Sequence, residues 1–208
     1  LGGDDFSVRA TAAVTFNNAG TYRIAAASDD GRLVNLTGAV LNSVSGQTNI
    51  GGPGASTYGW TNPTGHNNST GEFTVNAGDV VNVESFFFER GGGDSFEISV
   101  ASGAGGACCG GFTLLQNGAL AGGITMGNWN VEAFNITNAG GATDHDLNST
   151  AETLALWNAV DNGATVGANV VNESITLGST NYNIANYVID NEAVVDLAGG
   201  GGTFPTNN

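Results

Sequence analysis

Few side chains in this sequence are equipped for covalent chemistry. The histidines are His66 and His145, the cysteines are the adjacent pair Cys108 and Cys109, and the carboxylates number 19. His145 stands in Asp144-His145-Asp146, a spacing that suits a metal ligand or a base with an orienting acid, and equally a polar loop ahead of a helix. His66 lies beside Asn67 in a Gly-, Ser- and Thr-rich stretch and reads as solvated. A glycoside hydrolase needs two facing carboxylates in a cleft. Glu84, Glu89, Glu97, Glu132 and Glu173 offer many pairs, with no motif to choose among them. Gly91-Gly92-Gly93 lacks the lysine and helix start of a phosphate loop. The expectation is that the chain is not an enzyme.

Adjacent cysteines cannot staple distant strands to one another. Cys108 and Cys109, inside a Gly-rich run, therefore close a vicinal ring, bond other chains, or remain as two reduced thiols. The net charge of −15 sets the acids against Arg9, Arg23, Arg32 and Arg90, with no lysine. Such a field repels a phosphate backbone and attracts divalent cations, so nucleic acid is not an expected partner. Only 11% of residues are charged, against about a quarter in ordinary soluble domains, so Asn, Thr and Ser must make up the polar surface. This acidic, lysine-free composition points to the extracellular space or a cell surface. No apolar run reaches the ~18 residues that span a bilayer, so membrane insertion is not expected. The opening Leu1-Gly2-Gly3-Asp4 reads as a mature or trimmed start.

The elements that must position these residues read as strands. Phe6 to Phe16 alternates apolar and polar residues, with Phe6, Val8, Ala10, Ala12 and Val14 on one face. Asn17-Asn18-Ala19-Gly20 supplies a turn into Tyr22 to Ala27, which predicts a hairpin. A second hairpin is predicted around Asn76-Ala77-Gly78-Asp79, joining Glu72–Val75 to Val80–Glu89. Phe86-Phe87-Phe88 implies burial on both faces of its strand, and Phe96, Ile98 and Val100 share one face of another. Residues 40–68 read as a long surface loop carrying Tyr58 and Trp60. Together these give a mainly β chain: an antiparallel β-sandwich over 1–103, a Gly/Cys-rich hinge at 104–111, a smaller β-rich accessory region at 112–198 and a Gly-rich tail at 199–208. One helix is expected at about 150–160, opened by a capping box of Ser149 and Glu152.

The first part of the chain, from about Asp4 to Gly103, resembles the PA14 family of β-sandwich modules found in toxins, glycosidases and adhesins. The resemblance rests on Asp5-Phe6-Ser7-Val8-Arg9-Ala10, Ala19-Gly20-Thr21-Tyr22-Arg23-Ile24, Ser28-Asp29-Asp30-Gly31-Arg32-Leu33, Asn76-Ala77-Gly78-Asp79 and Phe86 to Gly92, in the family's order. Sugar-binding members use the paired aspartates of the Ser-Asp-Asp-Gly loop to hold a calcium ion that ligates sugar hydroxyls. The resemblance thus implies calcium at Asp29 and Asp30. Two adjacent carboxylates supply part of the six to eight hard oxygens calcium takes, with Asn67, Asn68 and Asp94 as candidates for the rest. The same residues would also make a tight turn whose carboxylates cap backbone amides. Val34-Asn35-Leu36-Thr37-Gly38 departs from the family, which usually has an aspartate before that glycine.

Two functions follow. One is a structural subunit of an extracellular filament, sheath or matrix, its partners being copies of itself, joined through the cysteines or by docking Phe204-Pro205 of the tail on a neighbour. The other is a calcium-dependent carbohydrate-binding module of an adhesin, with Asp29 and Asp30 on the ion and Tyr58, Trp60, Asn67 and Asn68 on a glycan. Use of the whole chain favours the first.

Overall fold

The structure is a computed structural model, and it describes residues 6–106, 108–138, 150–163, 173–177, 180–192 and 194–197. The strands are β1 (Phe6–Phe16), β2 (Gly20–Asp29), β3 (Gly31–Thr37), β4 (Leu41–Gly46), β5 (Thr57–Trp60), β6 (Asn67–Val75), β7 (Asp79–Glu89), β8 (Ser95–Ser102), β9 (Thr113–Leu114), β10 (Gly118–Leu120), β11 (Ile124–Met126), β12 (Trp129–Asn138), β13 (Glu173–Leu177), β14 (Thr180–Glu192) and β15 (Asp196–Leu197). One helix, α1 (Thr150–Gly163), is present among the described residues. It covers the expected 150–160; Ser149 of the predicted cap lies outside the described residues.

Two antiparallel sheets pack face to face as a β-sandwich. The first runs β13-β14-β12-β1-β7-β3-β5, with β11 joined to β1 and β10 to β11; the second runs β15-β8-β2-β6-β4, with β9 on β8. Alternation sends Val8, Ala10, Val14, Val34, Leu36 and Phe87 inward from the first sheet to meet Ile24, Ala26, Phe73, Phe96 and Ile98 from the second. Phe87 stacks on Phe96 across the gap at 5.0 Å, and Phe16 meets Tyr22 and Phe73 near the other end.

Both predicted hairpins are absent. β1 pairs with β7 and β12 while β2 pairs with β6 and β8, so the Asn17–Gly20 turn carries the chain from one sheet to the other. The Asn76–Asp79 turn does the same between β6 and β7, fastened by the Asn76 amide on Asp79 Oδ2 at 2.7 Å. Period-two alternation and a turn look alike whether the strands pair or face one another, because one inward face serves both arrangements. Residues 40–68, expected as a loop, contain β4, β5 and the start of β6.

The strands after residue 111 build onto the sheets of the first half. Leu115, Ile124, Met126, Trp129, Val131, Ala133 and Val195 enter the same core, and Trp129 Nε1 donates to the Leu115 carbonyl at 2.9 Å. The Gly/Cys run lies against the outer face of the second sheet: Arg23 donates to the carbonyls of Gly103 and Gly105, Glu72 accepts the Gly105 amide, and Thr70 Oγ1 accepts the Cys108 amide. Helix α1 is tied to the outer face of the first sheet by Trp157 Nε1 on Glu84 and Thr153 Oγ1 on the Thr61 carbonyl. Phe86 and Phe88 point to that side and are fully buried, as is Phe87 inside the sandwich. No described helix is long and apolar enough to cross a membrane.

Candidate functional site

Three connections cross between the sheets at one end of the sandwich. β2 passes to β3 through the single residue Asp30, β5 to β6 through residues 61–66, and β7 to β8 through residues 90–94. So short a first crossing forces the chain to turn where there is no room for a side chain. Gly31 answers that need, since a Cβ there would overlap the Phe88 ring. The Asp29–Asp30 peptide bond is cis.

The crossings converge on the Asp30 carboxylate. Oδ1 accepts the Thr64 amide at 2.7 Å and Oδ2 accepts the Arg90 amide at 3.0 Å, one from each of the other two connections. Asp29 lies on the outer face of the second sheet, opposite Ser95, and His66 hydrogen-bonds Ser95 Oγ through Nδ1 at 2.6 Å. Glu89 closes β7 on the inward face, opposite Phe6, with no solvent exposure. Oxygens of Asp29, Asp30 and Glu89 all lie within 4.8 Å of one another.

Burial raises the pKa of all three acids. For Asp29 the His66 backbone amide acts against it, and for Asp30 the Thr64 and Arg90 amides do. Glu89 is pushed furthest, to about 8, by burial first and then by the neighbouring negative charges of Asp30, Asp29 and Asp94, with only the Gly91 amide opposing. Glu89 Oε1 accepts that amide at 2.6 Å; Oε2 has no partner.

Orphaned polar atoms mark the same end. Buried side-chain atoms without a hydrogen bond, among the described residues, belong to Ser7, Trp60, Asn62, Asn68, Glu89 and Arg90. Ser7 sits opposite Phe88, Trp60 ends β5, Asn62 follows it, Asn68 begins β6, and Glu89 and Arg90 end β7. Buried polar atoms normally find partners, so a concentration of exceptions calls for water, an ion or a ligand. An open recess of about 470 Å³ elsewhere, lined by Arg9, Asn82, Glu84 and Asn128, has no such group, and its Arg9 is already paired with Glu84 at 2.6 Å and Glu132 at 2.9 Å.

The structure separates the residues expected to share a site. Asp29 and Asp30 come together with Glu89, which the sequence reading did not single out as a ligand. Tyr58 belongs to the core: it is fully buried and donates to the Ile24 carbonyl at 2.7 Å, so no ligand reaches it. Trp60 is half-buried at the crossing end with Nε1 unpartnered. Asn67 is exposed opposite Ser28, its Oδ1 taken by the Asn68 amide, and Asn68 Oδ1 is buried and unpartnered. Asp94 is buried in the β7–β8 connection. Cys108 and Cys109 are joined to each other in a vicinal disulfide. Phe204, Pro205 and the Asp144-His145-Asp146 segment lie outside the described residues.

Comparison with known proteins returned no matching family model, no matching curated protein and no matching solved structure.

Proposed function

We propose that the chain is an extracellular, PA14-like binding module that holds a calcium ion at Asp29, Asp30 and Glu89 and presents it to the hydroxyls of a carbohydrate. The observation that carries this reading is Glu89 Oε2: a fully buried carboxylate oxygen, unpartnered, within reach of two further carboxylates. Three clustered acids repel one another, and a hard divalent cation removes the repulsion while filling the vacant lone pairs. Carboxylate oxygens are the donors calcium prefers, so the residues present fit the ion. Backbone carbonyls of the crossing connections and hydroxyls of a sugar are suitable donors for the remaining positions.

Trp60, half-buried at the crossing end, supplies an aromatic face for a sugar ring beside the ion. This set favours binding over catalysis, because the acids lie together on one ion instead of facing across a cleft. The self-assembling subunit draws less from the geometry, since the cysteines close on each other. The test is calorimetric titration with calcium, followed by glycan-array binding with calcium or chelator. Calcium binding in the micromolar to millimolar range and chelator-sensitive glycan binding support the module. Filaments that form regardless of calcium, with no glycan bound, would replace it with the structural role.

A further inference from the structure

Behind the acidic cluster lies a cation that its hydrogen bonds do not neutralise. Arg32, the second residue of β3, points inward between the sheets with no solvent exposure, and its hydrogen bonds go to neutral oxygens. Nε donates to Ser69 Oγ at 3.0 Å, Nη1 to Ser28 Oγ at 3.2 Å and Nη2 to the Gln47 carbonyl at 3.3 Å. Burying a guanidinium without a counter-ion is strongly unfavourable, so a purely structural position would be better filled by an apolar side chain.

Each acceptor leads onward. Ser28 Oγ accepts from Arg32 and therefore turns its proton to the Asp30 carbonyl, at 2.6 Å. Gln47 presents its carbonyl to Arg32 and its Oε1 to the Thr64 hydroxyl at 3.1 Å, while the Thr64 amide holds Asp30 Oδ1. The bonds close into one cycle, Arg32–Ser28–Asp30–Thr64–Gln47–Arg32, gripping Asp30 by both its backbone carbonyl and its carboxylate. A second hydroxyl, Ser69 Oγ, braces Gln47 from the inside at 2.5 Å.

We propose that Arg32 is the positioning residue of the ion site, its three-pronged fork fixing Asp30 by the backbone carbonyl through Ser28 and by the carboxylate through Gln47 and Thr64. The proposal rests on the calcium reading for its consequence, not for its geometry. Lysine cannot substitute, because one ammonium cannot reach three splayed acceptors from a planar fork. Rigid support of a ligand from behind is worth about 10- to 100-fold in metal affinity.

The test compares wild type with Arg32→Lys and Thr64→Val by calcium titration, amide hydrogen exchange in chelator and thermal melting. Arg32→Lys keeps the charge, so a change reports the fork. The expected result is a calcium Kd raised about tenfold, with Thr64 amide exchange accelerated well beyond that of the Ile24 amide. Thr64→Val removes only the hydroxyl on Gln47; it should weaken calcium several-fold at unchanged melting temperature and add little to Arg32→Lys. If Arg32→Lys does not fold, Thr64→Val decides alone. A lower melting temperature with unchanged Kd and unchanged Thr64 exchange would make Arg32 a core residue and overturn the proposal. A wild type that takes no calcium, while Arg32→Lys still frees the Thr64 amide, would sink the ion reading and leave the positioning role standing.

Discussion

Asp30 Oδ2 accepts the backbone amide of Arg90 at 3.0 Å, joining the end of β7 to the one-residue crossing between β2 and β3. The bond draws the adjacent Glu89 carboxyl into a region already occupied by two other acids. The cost falls on the Glu89 carboxyl. Glu89 has a pKa of about 8 when folded against 4.5 ordinarily, so the folded chain holds this proton more tightly than the unfolded one. The stability this adds is fully present below pH 4.5 and is lost as pH climbs through about 8, on the order of 5 kcal/mol in all. Urea unfolding in chelator between pH 6 and 8.5 should show falling stability, and Glu89→Gln should flatten the slope. An unchanged slope in the variant would assign the proton elsewhere.

On the proposed reading, calcium binding at Asp29, Asp30 and Glu89 must displace the same proton. Its affinity should rise with pH by up to about tenfold per unit below pH 8 and level off above, with a proton released on binding at pH 7. Calorimetry in buffers of different ionisation enthalpy measures that release. Asp29→Asn and Asp30→Asn should each weaken binding strongly, since each removes a charge and a donor.

Gly31→Ala places a methyl group in the Phe88 ring. Something must move, at a cost of about 1–3 kcal/mol by analogy with overpacked cores. Thermal melting measures this loss, and calcium affinity should fall with it, since the displaced residue adjoins Asp30.

Tyr58 and Trp60 sit two residues apart on β5 and should behave oppositely. Tyr58→Phe forfeits the hydrogen bond to Ile24 and costs roughly 1 kcal/mol of stability, with glycan binding unaltered. Trp60→Ala should abolish glycan binding while calcium binding persists. Equal effects of the two on glycan binding would contradict this division.

Much of the sandwich is legible in the sequence because alternation reports which side chains go inward. The faces of β1 and β8 and the double burial of Phe86-Phe87-Phe88 all follow from it. Alternation is silent on partners, however. It cannot tell a hairpin from a crossing, which is why β1 and β2 read as neighbours and lie in opposite sheets. At the site, the adjacent Asp29 and Asp30 stand out, whereas Glu89 is 59 positions beyond Asp30 and is brought back only by the register of β7 against β1 and β3. A trace of it existed: Glu89 is two residues past Phe87, on the inward side, where an acid needs a reason. Tyr58 misled because a tyrosine amid Gly, Ser and Thr resembles a loop aromatic until its hydroxyl is seen to satisfy a core carbonyl.

The three crossings differ in their tolerance of change. The connection through Asp30 has no spare residue, and any insertion would throw Arg32 and Leu33 out of register with β7. The 61–66 and 90–94 connections span the same gap with slack, and they contribute backbone amides to Asp30 that many side-chain sequences would supply equally well. On the calcium reading, libraries built in those two stretches, sparing the buried Thr61 and Asp94 together with Thr64 and Gly91, would vary the rim while leaving the carboxylates in place, a division of labour suited to selecting new specificities from a single scaffold.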